Sequence, residues 1–219
     1  MEITDLKQGI KNPDRVNVFV DGVFSFSLDV SQVVDYKIRK GKKLTSEELD
    51  ELRRASDFGK AYQRTLEWVL VRPRSVKELR DYLKRGEYRK EMEARKKEWQ
   101  SKEDIRKKKV RREKVDYSDI VMERIIERGY VDDKKFAEWY VQNRFVKKGV
   151  SKKRLEMELL GKGVTSDIVA EVMSARDDEE EIKKVMQKKR AKYDDDKLIQ
   201  YLCRQGFSYE LAKKVVKEE

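Results

Sequence analysis

Residues 127–164 read ERGYVDDKKFAEWYVQNRFVKKGVSKKRLEMELLGKGV, and the fold turns on how this stretch divides. Asp132 or Asp133 stands where a helix cap is wanted, and Phe136, Tyr140 and Val141 follow at helical spacing. Gly149 ends that helix, Ser151 caps the next, and Gly163 ends that one in turn. Thr165 then caps a third, SDIVAEVMSA. The parse gives a three-helix unit, and a similar phrase occurs on either side of it.

Each copy has a long helix, a polar break and a short helix with leucines four residues apart. Those pairs are Leu79/Leu83, Leu155/Leu159 and Leu198/Leu202, and the helices that carry them are closed by Gly86, Gly163 and Gly206. A recurrence near fifty residues is the mark of tandem three-helix units, each leaning on its neighbours. Only two prolines occur, Pro13 and Pro73, which leaves long stretches free to be helical. Hydrophobic residues make up 38% and charged residues 44%, a composition that suits small stacked units better than one thick core.

The first thirty residues differ. RVNVFV (Arg15–Val20) and VFSFSL (Val23–Leu28) flank Asp21-Gly22, a two-residue connection that favours a type I′ hairpin turn. That register sets Phe19 opposite Phe24 and Val20 opposite Val23, and Ile3–Leu6 supplies a candidate third strand. A capped start follows at Thr45-Ser46-Glu47-Glu48. The resulting domain reading is a hairpin module over 1–56 and three-helix units over 57–130, 131–176 and 177–219. The first unit is interrupted by a basic insertion at 86–116.

The formal net charge of +11 favours a polyanionic partner, and its placement says more than its size. Between Lys84 and Lys114 there are fifteen Lys/Arg against seven Asp/Glu, whereas residues 177–219 balance at eleven of each. Histidine is absent and Cys203 is the single cysteine. Histidine acid–base chemistry and histidine or multi-cysteine metal sites are thereby excluded. No Gly-x-x-x-x-Gly-Lys loop is present, so nucleotide hydrolysis is not expected. Asp116, Asp119, Asp132, Asp133 and Asp194–Asp196 read as helix caps rather than metal ligands. No signal peptide or membrane span is legible.

Candidate binding residues sit at the breaks between helices. Lys152, Lys153 and Arg154 open a helix, where cations oppose the dipole, and an anionic partner would explain them. Arg144, Lys147 and Lys148 close the preceding helix, and Arg72 and Arg74 hold the matching place in the first copy. Lys107, Lys108, Lys109, Arg111 and Arg112 form the densest run, an auxiliary contact for nucleic-acid phosphates or a solvated face.

Taken together, RVNVFVDGVFSFSL, RPRSVKELRDYL, the opening stretch and the C-terminal RQGFSYELAKKVV resemble the RecX family of RecA regulators. The likeness covers nearly the whole chain in order and departs from the family at the long 86–116 insertion. It implies a mainly α fold of tandem three-helix repeats in an elongated curved array, with a small N-terminal β-hairpin module. It implies a cytoplasmic, non-enzymatic monomer without a cofactor, a part of recombination, DNA repair and the SOS response. Its partners would be the RecA filament and single-stranded DNA, with ATP hydrolysis, filament extension and strand exchange suppressed. The rival reading is a general nucleic-acid-binding helical protein that works through its basic insertion, independently of RecA.

Overall fold

The computed structural model describes residues 1–10, 12–86, 116–144 and 149–218. It is mainly helical, with a small antiparallel sheet at the N-terminus. The chain divides into two compact units, one of Met1–Trp68 with Leu83–Ile125 and one of Val69–Tyr82 with Ile126–Glu219.

In the first unit, strands β1 (Ile3–Gln8), β2 (Arg15–Val20) and β3 (Val23–Asp29) lie in the order β1-β2-β3. The turn between β2 and β3 has positive φ at Asp21 and Gly22, as a type I′ connection requires. Phe19 pairs with Phe24 and Val20 with Val23, and the two phenylalanine rings meet edge-to-face at 6.0 Å. One face of the sheet buries Ile3, Val18, Phe26 and Leu28 against Leu44, Leu49 and Leu52.

Helix α1 (Val30–Asp35) starts from a capping box between Asp29 and Gln32. Helix α2 (Ser46–Leu70) starts from another, with Thr45 and Glu48 exchanging backbone and side-chain bonds. It runs unbroken through Asp57. The buried Ser56 hydroxyl donates to the Ser27 carbonyl at 2.7 Å and accepts from the Ser27 amide. A helix hydroxyl thus engages the Ser27 amide at a sheet edge and shares its carbonyl with the Arg15 guanidinium.

Residues 76–86 are helical and form the described part of α3, so Gly86 is a helical residue and not a left-handed closing glycine like Gly163 and Gly206. Helix α4 (Ser118–Glu127) follows, with Val121 and Ile125 buried and Asp116 capping the Ser118 amide.

The second unit holds two helix triplets. Helices α5 (Asp133–Arg144), α6 (Lys152–Gly161) and α7 (Ser166–Met173) enclose Phe136, Leu155, Leu159, Val169 and Met173. Helices α8 (Asp178–Lys189), α9 (Asp195–Arg204) and α10 (Tyr209–Glu218) enclose Ile182, Met186, Leu198, Leu202 and Val216. The leucine pairs of α6 and α9 are fully buried, each side chain contributing about 1.5–3 kcal/mol by leaving water. Cys203 is half-buried and packs against the second of these cores. Ser151 caps α6 through its hydroxyl, whereas Thr165 holds the cap position of α7 without a side-chain bond.

Candidate functional site: cations at the joints between helical units

Two joints in the second unit are built on one plan. At the first, the start of α3 meets the end of α6. The buried Ser75 hydroxyl donates to the Lys162 carbonyl at 2.8 Å, and the Lys77 ammonium donates to the Gly161 carbonyl at 2.7 Å. The Val76 amide donates to Asp133 Oδ1 at 2.9 Å.

At the second, the start of α6 meets the end of α9. The Ser151 amide donates to the Gln205 carbonyl at 3.2 Å, and Arg154 Nη1 donates to the Arg204 carbonyl at 2.9 Å. The Lys152 amide donates to Asp178 Oδ1 at 2.7 Å. A helix start, rich in unpaired amides, is set against a helix end, rich in unpaired carbonyls. The cation in the first turn is thus turned toward the carbonyl end of the next triplet, which offsets its conflict with its own helix dipole.

Close approach at both joints requires glycine. Gly163 has φ +83°, and a Cβ there would come within 2.7 Å of the Lys77 Cβ. Gly206 has φ +95°, and a Cβ there would come within 2.6 Å of the Ser151 hydroxyl.

A carboxylate gathers the cations beside each joint. Glu78 accepts a two-pronged bond from Arg72 at 2.9 and 3.1 Å and a third bond from Lys162 at 3.2 Å. Glu158 accepts a two-pronged bond from Arg144 at 3.0 and 3.1 Å, one from the Tyr140 hydroxyl at 2.8 Å, and an ion pair from Arg154 at 3.4 Å. Aromatic rings face these cations: Arg72 lies 5.2 Å from the Trp139 centroid and Lys162 lies 5.4 Å from that of Tyr140.

Burial pushes the Glu78 carboxyl up, but the bonds from Arg72 and Lys162 outweigh it and hold it below its ordinary value. Burial likewise raises Glu158, and the bonds from Arg144 and Tyr140 more than reverse that. Burial and then the bond to Glu158 raise the Tyr140 phenol. The bond to Glu158 raises Arg144, while burial lowers Arg74, with the Arg72 charge beside it acting in the same direction.

The expected site residues are therefore distributed unevenly. Arg72 and Arg144 are held by glutamates, and Arg154 is shared between Glu158 and the Arg204 carbonyl. Lys152 is half-buried and Lys153 exposed, and neither ammonium has an ion-pair partner among the described residues. Lys147 and Lys148, and also Lys107, Lys108, Lys109, Arg111 and Arg112, lie outside the described residues.

The sequence reading missed Glu78, Glu158, Asp133 and Asp178 as members of the site. For the aspartates a signal exists: the doubled Asp at Asp132-Asp133 and again at Asp177-Asp178. In each pair the first caps its own helix and the second caps the preceding triplet's helix. Arg176 was missed as well; it reaches the Val150 carbonyl at 2.6 Å while paired with Glu181.

Comparison with known proteins bears on the N-terminal module and on the α5–α7 triplet. The model of the "Regulatory protein RecX N-terminal domain" matches residues 1–45, and that of "RecX, second three-helix domain" matches residues 132–173. A Regulatory protein RecX from Listeria monocytogenes serotype 4a is 29% identical over 228 residues, spanning 100% of this chain and 76% of the relative. Over its whole length the chain is similar to members of the RecX family. A second RecX, from Bacillus velezensis, is 29% identical over 188 residues, 84% of this chain and 60% of the relative. A crystal structure of regulatory protein RecX superposes with a TM-score of 0.61 at 18% identity, covering 100% of this chain and 99% of the other, and shares the fold. That similarity supports a role as a RecX-type regulator. Among the described residues no helix is long and apolar enough to cross a membrane.

Proposed function

We propose that this chain binds the RecA filament on single-stranded DNA and restrains it, slowing ATP hydrolysis, filament extension and strand exchange. The observation that carries the reading is the pair of RecX matches, at 1–45 and at 132–173, in a chain whose cations gather at the joints between helix triplets. In this reading the hairpin module of 1–56 is followed by three-helix units at 57–130, 131–176 and 177–219. The protein acts as a cytoplasmic monomer, without a cofactor and without catalysis of its own. Arg72, Arg74, Arg144, Lys147, Lys148, Lys152, Lys153 and Arg154 present positive charge to the filament. Lys107, Lys108, Lys109, Arg111 and Arg112 add an auxiliary grip on phosphates.

The test is the DNA-dependent ATPase of RecA with substoichiometric amounts of this protein. The expected result is a slower rate with loss of filaments seen by light scattering. An unchanged rate beside tight binding to bare DNA would replace this reading with the second one. That alternative, a nucleic-acid-binding protein independent of RecA, draws on the concentration of cations between Lys84 and Lys114. Deleting residues 87–114 should then abolish DNA binding rather than merely reduce its salt dependence.

A further inference from the structure

Each joint carries a carboxylate whose place an incoming phosphate could take. Glu78 is surrounded by Arg72 and Lys162, and Glu158 by Arg144 and Arg154, so the cations outnumber the anion at both. The guanidinium groups of Arg72 and Arg144 are already held in the two-pronged geometry that also suits a phosphodiester. Trp139 and Tyr140 stand next to each other on α5 and serve the two joints, one facing Arg72 and the other touching Glu158. Both glutamates keep more than three-quarters of the side chain covered, while Arg144 and Arg154 remain more than a third exposed. An incoming anion meets the cations before it meets the carboxylates.

From this geometry we infer that Glu78 and Glu158 act as built-in competitors of nucleic-acid phosphates, limiting the affinity of this surface for bare single-stranded DNA. The inference deepens the nucleic-acid part of the proposed function and rests on it. A tethered carboxylate is present at high effective concentration, so a single phosphate exchanges with it at little net gain. A partner that presents several anions in fixed register displaces both carboxylates together and keeps its advantage. The two glutamates therefore set selectivity for an ordered polyanion over a loose one.

The experiment measures binding of the full chain to a fluorescent oligothymidylate across a range of salt concentrations, without RecA. Four proteins are compared: the wild type, Glu78→Gln, Glu158→Gln and the double variant. Glu171→Gln is the control, because it removes the same charge from the exposed pair Lys134–Glu171, which shares no hydrogen bond or ion pair with Glu78 or Glu158. Each joint variant should bind several-fold more tightly than the control. The log–log salt slope should steepen by about 0.7 for each phosphate newly engaged. Gains no larger than that of Glu171→Gln would overturn the proposal, as would no binding by any of the proteins.

A variant that fails to fold is covered by a measurement on the wild type. The Nε–H signals of Arg72 and Arg144 should shift as the oligonucleotide is added, and signals that stay fixed at saturation would overturn the proposal. Equal displacement of the oligonucleotide by a polyglutamate peptide would also overturn it, pointing to an acidic protein surface instead. The RecA reading is judged by the ATPase assay alone, so the two can fail separately.

Discussion

Helices α6 and α9 hold the same place in successive triplets, yet they begin in opposite ways. α6 starts Ser151-Lys152-Lys153-Arg154, and α9 starts Asp194-Asp195-Asp196-Lys197. α9 follows the ordinary rule: Asp194 caps the Lys197 amide, and acidic side chains fill the positively polarised first turn. α6 breaks that rule because its start abuts the end of α9, where Arg154 finds the Arg204 carbonyl and Asp178 supplies the acid from outside. Helix α3 repeats the arrangement of α6, with Lys77 on the Gly161 carbonyl and Asp133 on the Val76 amide. The rule of helix ends is kept in all three, but in two of them the carboxylate comes from the next triplet.

That comparison can be attacked first at the glycine of the second joint. Gly206→Val should cost the most, about 3 kcal/mol or more, since a β-branched residue resists positive φ and its side chain would strike Ser151 and Arg154. Gly129→Ala has positive φ and open space around it, so only the backbone cost of about 1–2 kcal/mol should appear. Urea denaturation of the two variants decides whether the joint or the turn matters; equal losses would dissolve the comparison.

The external aspartates come next. Asp178→Ala should lower stability by about 1 kcal/mol, as loss of a helix cap does, and should speed amide exchange at Lys152. Asp195→Ala, at the corresponding start of α9, should leave the exchange of its own first turn nearly unchanged. If both variants behave alike in hydrogen exchange, the carboxylate from the next triplet has no special role.

Acid should separate the joints from the rest of the surface more gently. Glu78 and Glu158 both titrate below the ordinary value when folded, because the bonds from their cations outweigh burial. The unfolded chain takes up these protons first, so their contribution is intact above a pH of about 4.3 and is lost as the pH falls through the folded values. Thermal melting from pH 7 to pH 3 should show this acid loss, and Glu78→Gln with Glu158→Gln should flatten that limb of the curve. The smallest contrast is between Arg154→Ala and Lys197→Ala. The first should lose a measurable fraction of stability, and the second, an exposed pair with Asp194, should melt as the wild type does.

The local elements were legible because their signals are local. Asp21-Gly22 dictates the turn and with it the Phe19–Phe24 pairing, and Ser75 and Ser151 mark their helix starts without help from elsewhere. The helical period brought Leu155, Leu159, Leu198 and Leu202 to the cores. Gly86 misled: Gly163 and Gly206 close their helices with a left-handed backbone, whereas Gly86 has no positive φ and is itself helical. The cations at the start of α6 were visible, but their partners were not. Glu158 is four residues from Arg154 along the chain, while Arg204 and Asp178 are brought in from another triplet.

The sequence alone determined the hairpin, the helices, their buried faces and the surplus of positive charge, because turn geometry and periodicity act over a few residues. Only the tertiary structure decided which of those charges are already engaged. A lysine or arginine at a helix start has the same letters whether it faces water or a neighbour's last carbonyl. The choice between them is made by packing across the joint, where two glycines let the backbones come close enough for the side chains to reach.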